Sequence, residues 1–144
     1  MVVQKRILAL DVGERRIGLA VSDPLGWTAQ GLPTLERRNR QTDLEALMGL
    51  AQHYEIRMWL VGLPRHMSGQ EGTQAAKVRQ WADGLGRHSG IAVVYWDERL
   101  TTVEAGRVLR AASSSRAQTK RAIDRLSAVL LLQSYLDAQA TPPL

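Results

Sequence analysis

Ile7 to Val12 is a short apolar run closed by Gly13, and Ile17 to Val21 is a second. Only Gly13-Glu14-Arg15-Arg16 lies between them, and two apolar runs joined so closely predict a β-hairpin. A third, weaker strand is predicted between Trp27 and Leu35; Gly31 and Pro33 interrupt it, which assigns it to a sheet edge. The period then changes from strand-like to helical. Thr42-Asp43-Leu44-Glu45 has the form of a capping box, and Leu44, Leu47, Met48, Ala51 and Tyr54 follow at helical spacing. Ile56 to Leu63 reads as a buried strand ending in Gly62-Leu63-Pro64. Ala75, Val78, Trp81, Ala82 and Leu85 mark a second helix, closed by Gly86 or Gly90. Ile91 to Trp96 is the most strand-like run. A second capping box, Thr101-Thr102-Val103-Glu104, opens a helix to about Ala112, which Ser113-Ser114-Ser115 breaks. A last helix is predicted from about Gln118 to Ala138, apolar nearly all round between Ala128 and Leu132 and basic at its start.

The predicted order is β-β-β-α-β-α-β-α-α, an α/β chain. The first three strands form an antiparallel meander, and the alternating units that follow require parallel, right-handed crossovers. No linker or repeat interrupts residues 1–139, which are expected to form one domain, with 140–144 a frayed tail.

Composition narrows the class. The 144 residues are 44% hydrophobic, enough for an ordinary core, so wholesale disorder is excluded. There is no cysteine, hence no disulfide framework and no thiolate metal site. Charged residues from Asp11 to Arg16 break the apolar start, so no targeting segment is expected. The longest unbroken apolar run, Ile91 to Trp96, is far too short to span a membrane. A soluble, cytoplasmic protein is the expectation.

The net charge of +5 is unevenly placed. Arg99, Arg107, Arg110, Arg116, Lys120, Arg121 and Arg125 face only Glu104 and Asp124 in that stretch, so the whole excess resides there. Sixteen of the nineteen cations are Arg, which suits bidentate phosphate contacts but equally follows from a codon preference.

In an open sheet with parallel strands, sites form beyond the carboxyl ends of those strands. Asp11 stands there inside Leu8-Ala9-Leu10-Asp11-Val12-Gly13, where a carboxylate is costly unless it is paired or metal-bound. It is either a satisfied structural acid or a functional one. Asp97 and Glu98 follow the most apolar strand; neighbours on a strand point to opposite faces, so at most one faces a common site. Helix capping is their other reading, and a surface ion pair is that of Asp124 among Lys120, Arg121 and Arg125. Taken together, an acid on the first strand, one after a later parallel strand and one on the last helix can converge. Such a cluster repels itself unless cations neutralise it, and oxygen-only ligation selects Mg²⁺ or Mn²⁺. Two such ions can clamp both oxygens of a phosphodiester during in-line displacement. His53, His66 and His88 have no partner at ligand spacing and are read as non-ligands. Trp59, Trp81 and Trp96 are expected in the core and Trp27 exposed, while Arg37-Arg38-Asn39-Arg40 reads as a solvated loop.

Four stretches carry a resemblance. They are Leu8 to Pro24, Val61-Gly62-Leu63-Pro64 with Gly69-Gln70-Glu71-Gly72, Asp97 to Ala105, and Ile123-Asp124 followed by Leu130 to Leu136. In this order they resemble the YqgF family, described as Holliday junction resolvases and also as pre-16S rRNA nucleases. The resemblance covers nearly the whole chain and implies a ribonuclease H-like fold, a five-stranded mixed sheet with strands 1–3 antiparallel and 1-4-5 parallel. It implies an acidic triad at Asp11, Glu98 and Asp124 binding two Mg²⁺ or Mn²⁺ ions. Ser127 replaces the Ala expected after the last acid, away from any triad position.

On this reading the chain hydrolyses phosphodiesters, maturing the 5′ end of 16S rRNA on a precursor of the small ribosomal subunit. Arg99, Arg116, Lys120, Arg121 and Arg125 would grip the nucleic acid. The alternative substrate is a four-way DNA junction, whose two-fold symmetry asks for a homodimer where RNA trimming needs only a monomer. A non-catalytic nucleic-acid-binding module is the lower alternative. The Asp-x-Gly hairpin also resembles the first phosphate motif of sugar kinases and actin-like ATPases, but 144 residues leave no room for their second lobe.

Overall fold

The computed structural model describes residues 6–64, 72–97 and 116–140, with side chains from 125 onward in the last segment. Among these residues the elements are β1 (Arg6–Val12), β2 (Arg16–Ser22), β3 (Ala29–Glu36), α1 (Arg40–Tyr54), β4 (Ile56–Leu63), α2 (Thr73–Ser89), β5 (Ala92–Asp97) and α3 (Arg116–Ala140). The expected helix from Thr101, Glu98, Arg99 and the 141–144 tail lie outside the described residues.

The strands form one sheet in the order β3-β2-β1-β4-β5. β1 pairs β2, and β2 pairs β3, antiparallel; β1 pairs β4, and β4 pairs β5, parallel. This is the mixed sheet that the strand pattern predicts. In the β2–β3 ladder Ile17 pairs Leu35 and Leu19 pairs Leu32, so Pro33 and Thr34 together oppose Gly18. That bulge on an edge strand is where a proline, lacking an N–H, is tolerated.

Both sheet faces are covered. Leu8, Leu10, Val12, Trp59, Val61 and Leu63 face α1 and α2, whose Leu47, Val78 and Leu85 complete that core. Ile7, Ala9, Ala20, Met58 and Leu60 face α3 through Ala128, Leu131, Leu132 and Leu136. β1 and β4 are therefore buried on both sides and read as unbroken apolar runs rather than alternating ones. Trp59 is fully buried, and its Nε1–H donates to Ser89 Oγ at 2.9 Å, which satisfies its polar edge.

Two local expectations are corrected. Thr42 is not the cap of α1: Asn39 is, its Oδ1 accepting from Thr42 N at 2.9 Å, with buried Asp43 accepting from Arg38 N at 3.0 Å. The same polar cluster thus caps the helix one turn earlier. Nor is Arg37 solvated. It is half-buried, donates from Nη1 to Gly13 O at 2.6 Å and lies 5.6 Å over the Trp81 ring.

Candidate active site

Asp11 occupies the last turn of pleat in β1. Ile7 and Ala9 belong to the α3-side cluster, and alternation places Asp11 on that same face, half-exposed. Its antiparallel partner is Gly18, and Gly62, the residue after Val61 in β4, continues the row to Trp96 of β5. The carboxylate thus has no side chain on either flank of its row within β2 and β4. Glycine inside a strand weakens pairing and marks close approach of another group. That signal was available in the sequence, yet Gly18 and Gly62 received no role from it. The hairpin is closed by Gly13 N donating to Arg16 O at 2.8 Å; a Cβ on Gly13 would stand 2.9 Å from that oxygen.

The register fixes the sheet face of the last residue of β5. Asp97 pairs Leu63, and Tyr95 pairs Val61, both partners on the α1/α2 face. Asp97 is therefore on the face opposite Asp11. Trp96 pairs Gly62, packs with the α3-side cluster and donates from Nε1 to Ser134 Oγ at 3.2 Å.

α3 runs antiparallel to β1. Leu136 packs with Ile7 at the start of β1, Gln133 Oε1 accepts from Ala29 N at 3.0 Å, and Arg125 and Val129 lie against Gly31. From Leu136 back to position 124 the helix rises about 18 Å, against about 13 Å of strand from Ile7 to Asp11. Position 124 precedes Ala128 by about one helical turn. The helix thus carries Asp124 toward the end of the sheet where Asp11 stands.

Among the described residues no three His, Cys, Asp or Glu side chains form a group able to hold a metal. Glu98 and the Asp124 side chain lie outside that set, as do Arg99 and the side chains of Arg116, Lys120 and Arg121. Arg125 is exposed, with its stem against Gly31 of β3. His53 and His88 are exposed at helix ends, and His66 lies outside the described residues. Trp59 and Trp81 are buried, Trp96 is half-buried and Trp27 is 72% exposed, as the pattern predicts. Among the described residues no helix is long and apolar enough to cross a membrane.

Trp27 sits in a stiff turn. The Asp23 carboxylate accepts from Trp27 N at 2.7 Å and Thr28 N at 2.8 Å. The bond from Thr28 is foremost in holding the Asp23 pKa below its ordinary 3.8, with partial burial opposing and the Trp27 and Leu25 bonds assisting.

The relatives agree with this architecture. The chain is 53% identical over 135 residues to a Koribacter versatilis protein provisionally named pre-16S rRNA nuclease, covering 94% of this chain and 88% of that one. It is 52% identical over 132 residues to one of the same name from Moorella thermoacetica, covering 92% and 94%. Among solved structures, Thermus thermophilus RuvC in complex with a Holliday junction substrate aligns with TM-score 0.59 at 15% identity, over 98% of this chain and 100% of that one. The fowlpox virus resolvase bound to junction DNA gives TM-score 0.59 at 12% identity, over 94% and 99%. The fold is that of these ribonuclease H-like resolvases. A family model described as RuvX, Holliday junction resolvase, matches residues 5–138, and the chain belongs to that family.

Proposed function

We propose that this chain is a divalent-metal-dependent endonuclease that hydrolyses phosphodiesters of structured nucleic acid, acting in the cytoplasm on the 5′ end of precursor 16S rRNA. The observation that carries the reading is the position of Asp11. It stands at the carboxyl end of the central parallel strand, on the face toward which α3 brings position 124, with glycines in place of side chains beside it. The names of the relatives at 53% and 52% identity supply the substrate class.

Asp11, Glu98 and Asp124 form the proposed acidic triad. The position of Asp97 on the opposite sheet face supports Glu98 as the acid that follows β5 in this role. A donor set of carboxylate oxygens fits Mg²⁺ or Mn²⁺ rather than zinc, and three carboxylates can hold two ions. Such ions, when bound, neutralise the phosphodiester's charge and make water a stronger nucleophile. The protein's part is to fix the carboxylates on two rigid elements and to hold the flanking backbone. Arg99, Arg116, Lys120, Arg121 and Arg125 are the proposed phosphate grips. A precursor of the small ribosomal subunit is the proposed setting.

A second reading, a four-way DNA junction, is favoured by the family description and by the fold of the junction-bound resolvases. It requires two active sites, hence a homodimer; a monomer that cleaves favours RNA.

The test incubates purified chain with precursor rRNA and with a synthetic four-way junction, in Mg²⁺ and in Mn²⁺. Cleavage of the rRNA is expected, with Asp11→Asn and Asp124→Asn each lowering it by at least about a hundredfold without altering the circular dichroism spectrum. Cleavage that survives either substitution removes that residue from the triad. Cutting confined to the junction replaces the RNA reading with the DNA one.

A further inference from the structure

A cavity of about 360 Å³ opens on the other side of β1 from Asp11, between the β1–β2 turn and α2. Val12 forms part of its wall, so consecutive residues of one strand serve the two sites: Asp11 toward α3, Val12 toward α2. Val78 and Trp81 complete an apolar floor, and Arg37, Lys77 and Glu14 are its charged residues. Its volume lies in the range of small-molecule sites.

The cations have different standing. Arg37 is held by Gly13 O and by the Trp81 ring, and among the described residues that bond takes only one of its five guanidinium donors. A guanidinium fixed in this way costs little entropy when it binds an oxyanion. Lys77 is exposed and makes no hydrogen bond or ion pair among the described residues. Glu14 is exposed at the turn and also carries no such bond, so the cavity has two positive groups against one negative. Burying an apolar ring edge beside paired donors suits a ligand with an anionic end and a flat apolar body.

We propose that this cavity is a nucleotide subsite that takes one unit of the substrate strand beside the scissile phosphodiester, its phosphate on Lys77 and Arg37 and its base toward Val78 and Trp81. The assignment rests on the nuclease reading above. A strand crossing the carboxyl end of β1 from the α3 face to the α2 face passes over the Gly13 turn and reaches the cavity with the next nucleotide. The subsite gives the enzyme a second hold on the chain, on the side of the sheet away from α3. Register on the substrate is set by both holds together.

Lys77→Glu is the informative variant, because the side chain is exposed and supports no described contact; Arg87→Glu, at the far end of α2, removes the same charge as a control. Anisotropy of a labelled single-stranded oligoribonucleotide, read in an Asp11→Asn background at several salt concentrations, measures the subsite without cleavage. Lys77→Glu is expected to weaken binding roughly tenfold and to lower the salt slope by about one, with Arg87→Glu well below both. In the parent background Lys77→Glu is expected to raise KM and leave kcat within about twofold. Unchanged affinity and slope in Lys77→Glu, or equal losses in Arg87→Glu, would overturn the subsite. A free nucleoside monophosphate that binds as tightly as the oligomer, and as dependently on Lys77, would overturn its assignment to the strand. Should the parent chain cleave nothing while Lys77→Glu still loses binding, the nuclease reading falls and the subsite stands. Cleavage with Lys77-independent binding gives the reverse.

Discussion

Asp11 and Asp23 show two ways in which a carboxylate is made to fit this protein. Asp11 stands near the end of a buried strand, with glycine across from it in the neighbouring strand. Asp23 is answered locally, by the backbone N–H groups of Trp27 and Thr28. Because those bonds favour the ionised form, the folded pKa lies below that of the unfolded chain, near 3.8. The stability they supply is therefore complete above that value and is lost as the pH falls through the lower, folded one. Asp23→Asn is expected to cost about 1 kcal/mol at neutral pH, measured by denaturant unfolding. Between about pH 4 and 2 the parent should lose more stability than the Asn variant, and a parallel decline of the two would remove Asp23 from the turn's support. At this scale an acid inside an apolar run singled out Asp11 as a candidate and left its role open. The Arg37–Trp81 contact was not, since its partners lie far apart in the chain and the arginine sits in a run of charges that otherwise reads as solvated.

Elements buried on both sides were read to within a residue at each end. β4 spans Ile56–Leu63 as its apolar run predicts, β1 starts one residue earlier than predicted, and β2 is one residue longer at each end. β3 begins at Ala29 rather than Trp27 because the Asp23 turn consumes Trp27 and Thr28. α1 shows why a motif alone misplaces a helix start: Asn39 and Thr42 are both good caps, and only the backbone shows which one bonds. Asn39→Ala is expected to cost about 1 kcal/mol and Thr42→Ala only a few tenths, by thermal or denaturant unfolding. Equal losses would return the cap to Thr42. The sheet face of Asp97 was likewise beyond periodicity, because it needs the phase of β5 against β4, fixed here by the Leu63–Asp97 pairing.

For the molecule as a whole, the charge asymmetry acquires a direction. α3 lies on the Asp11 face and begins in the basic segment, so substrate is expected to approach over that helix while the α2 cavity holds the strand from behind. Reversing Arg116, Lys120 and Arg121 together should weaken nucleic-acid binding and lower the salt slope by about three, with the unfolding transition unchanged. A triple variant of unaltered affinity would leave the arginine excess to codon usage. The two sites meet in one strand, and this has a consequence for how the chain can vary. Which side of the sheet Asp11 and Val12 each face is set by the number of residues ahead of them in β1. A point substitution in β1 disturbs one side, whereas inserting or deleting a single residue ahead of Asp11 would turn the valine to the α3 face and the carboxylate to the α2 face. Length in β1 is thus a stricter heritable constraint than composition, and natural insertions should collect in the β2–β3 turn and at the α1 approach, never between Arg6 and Asp11.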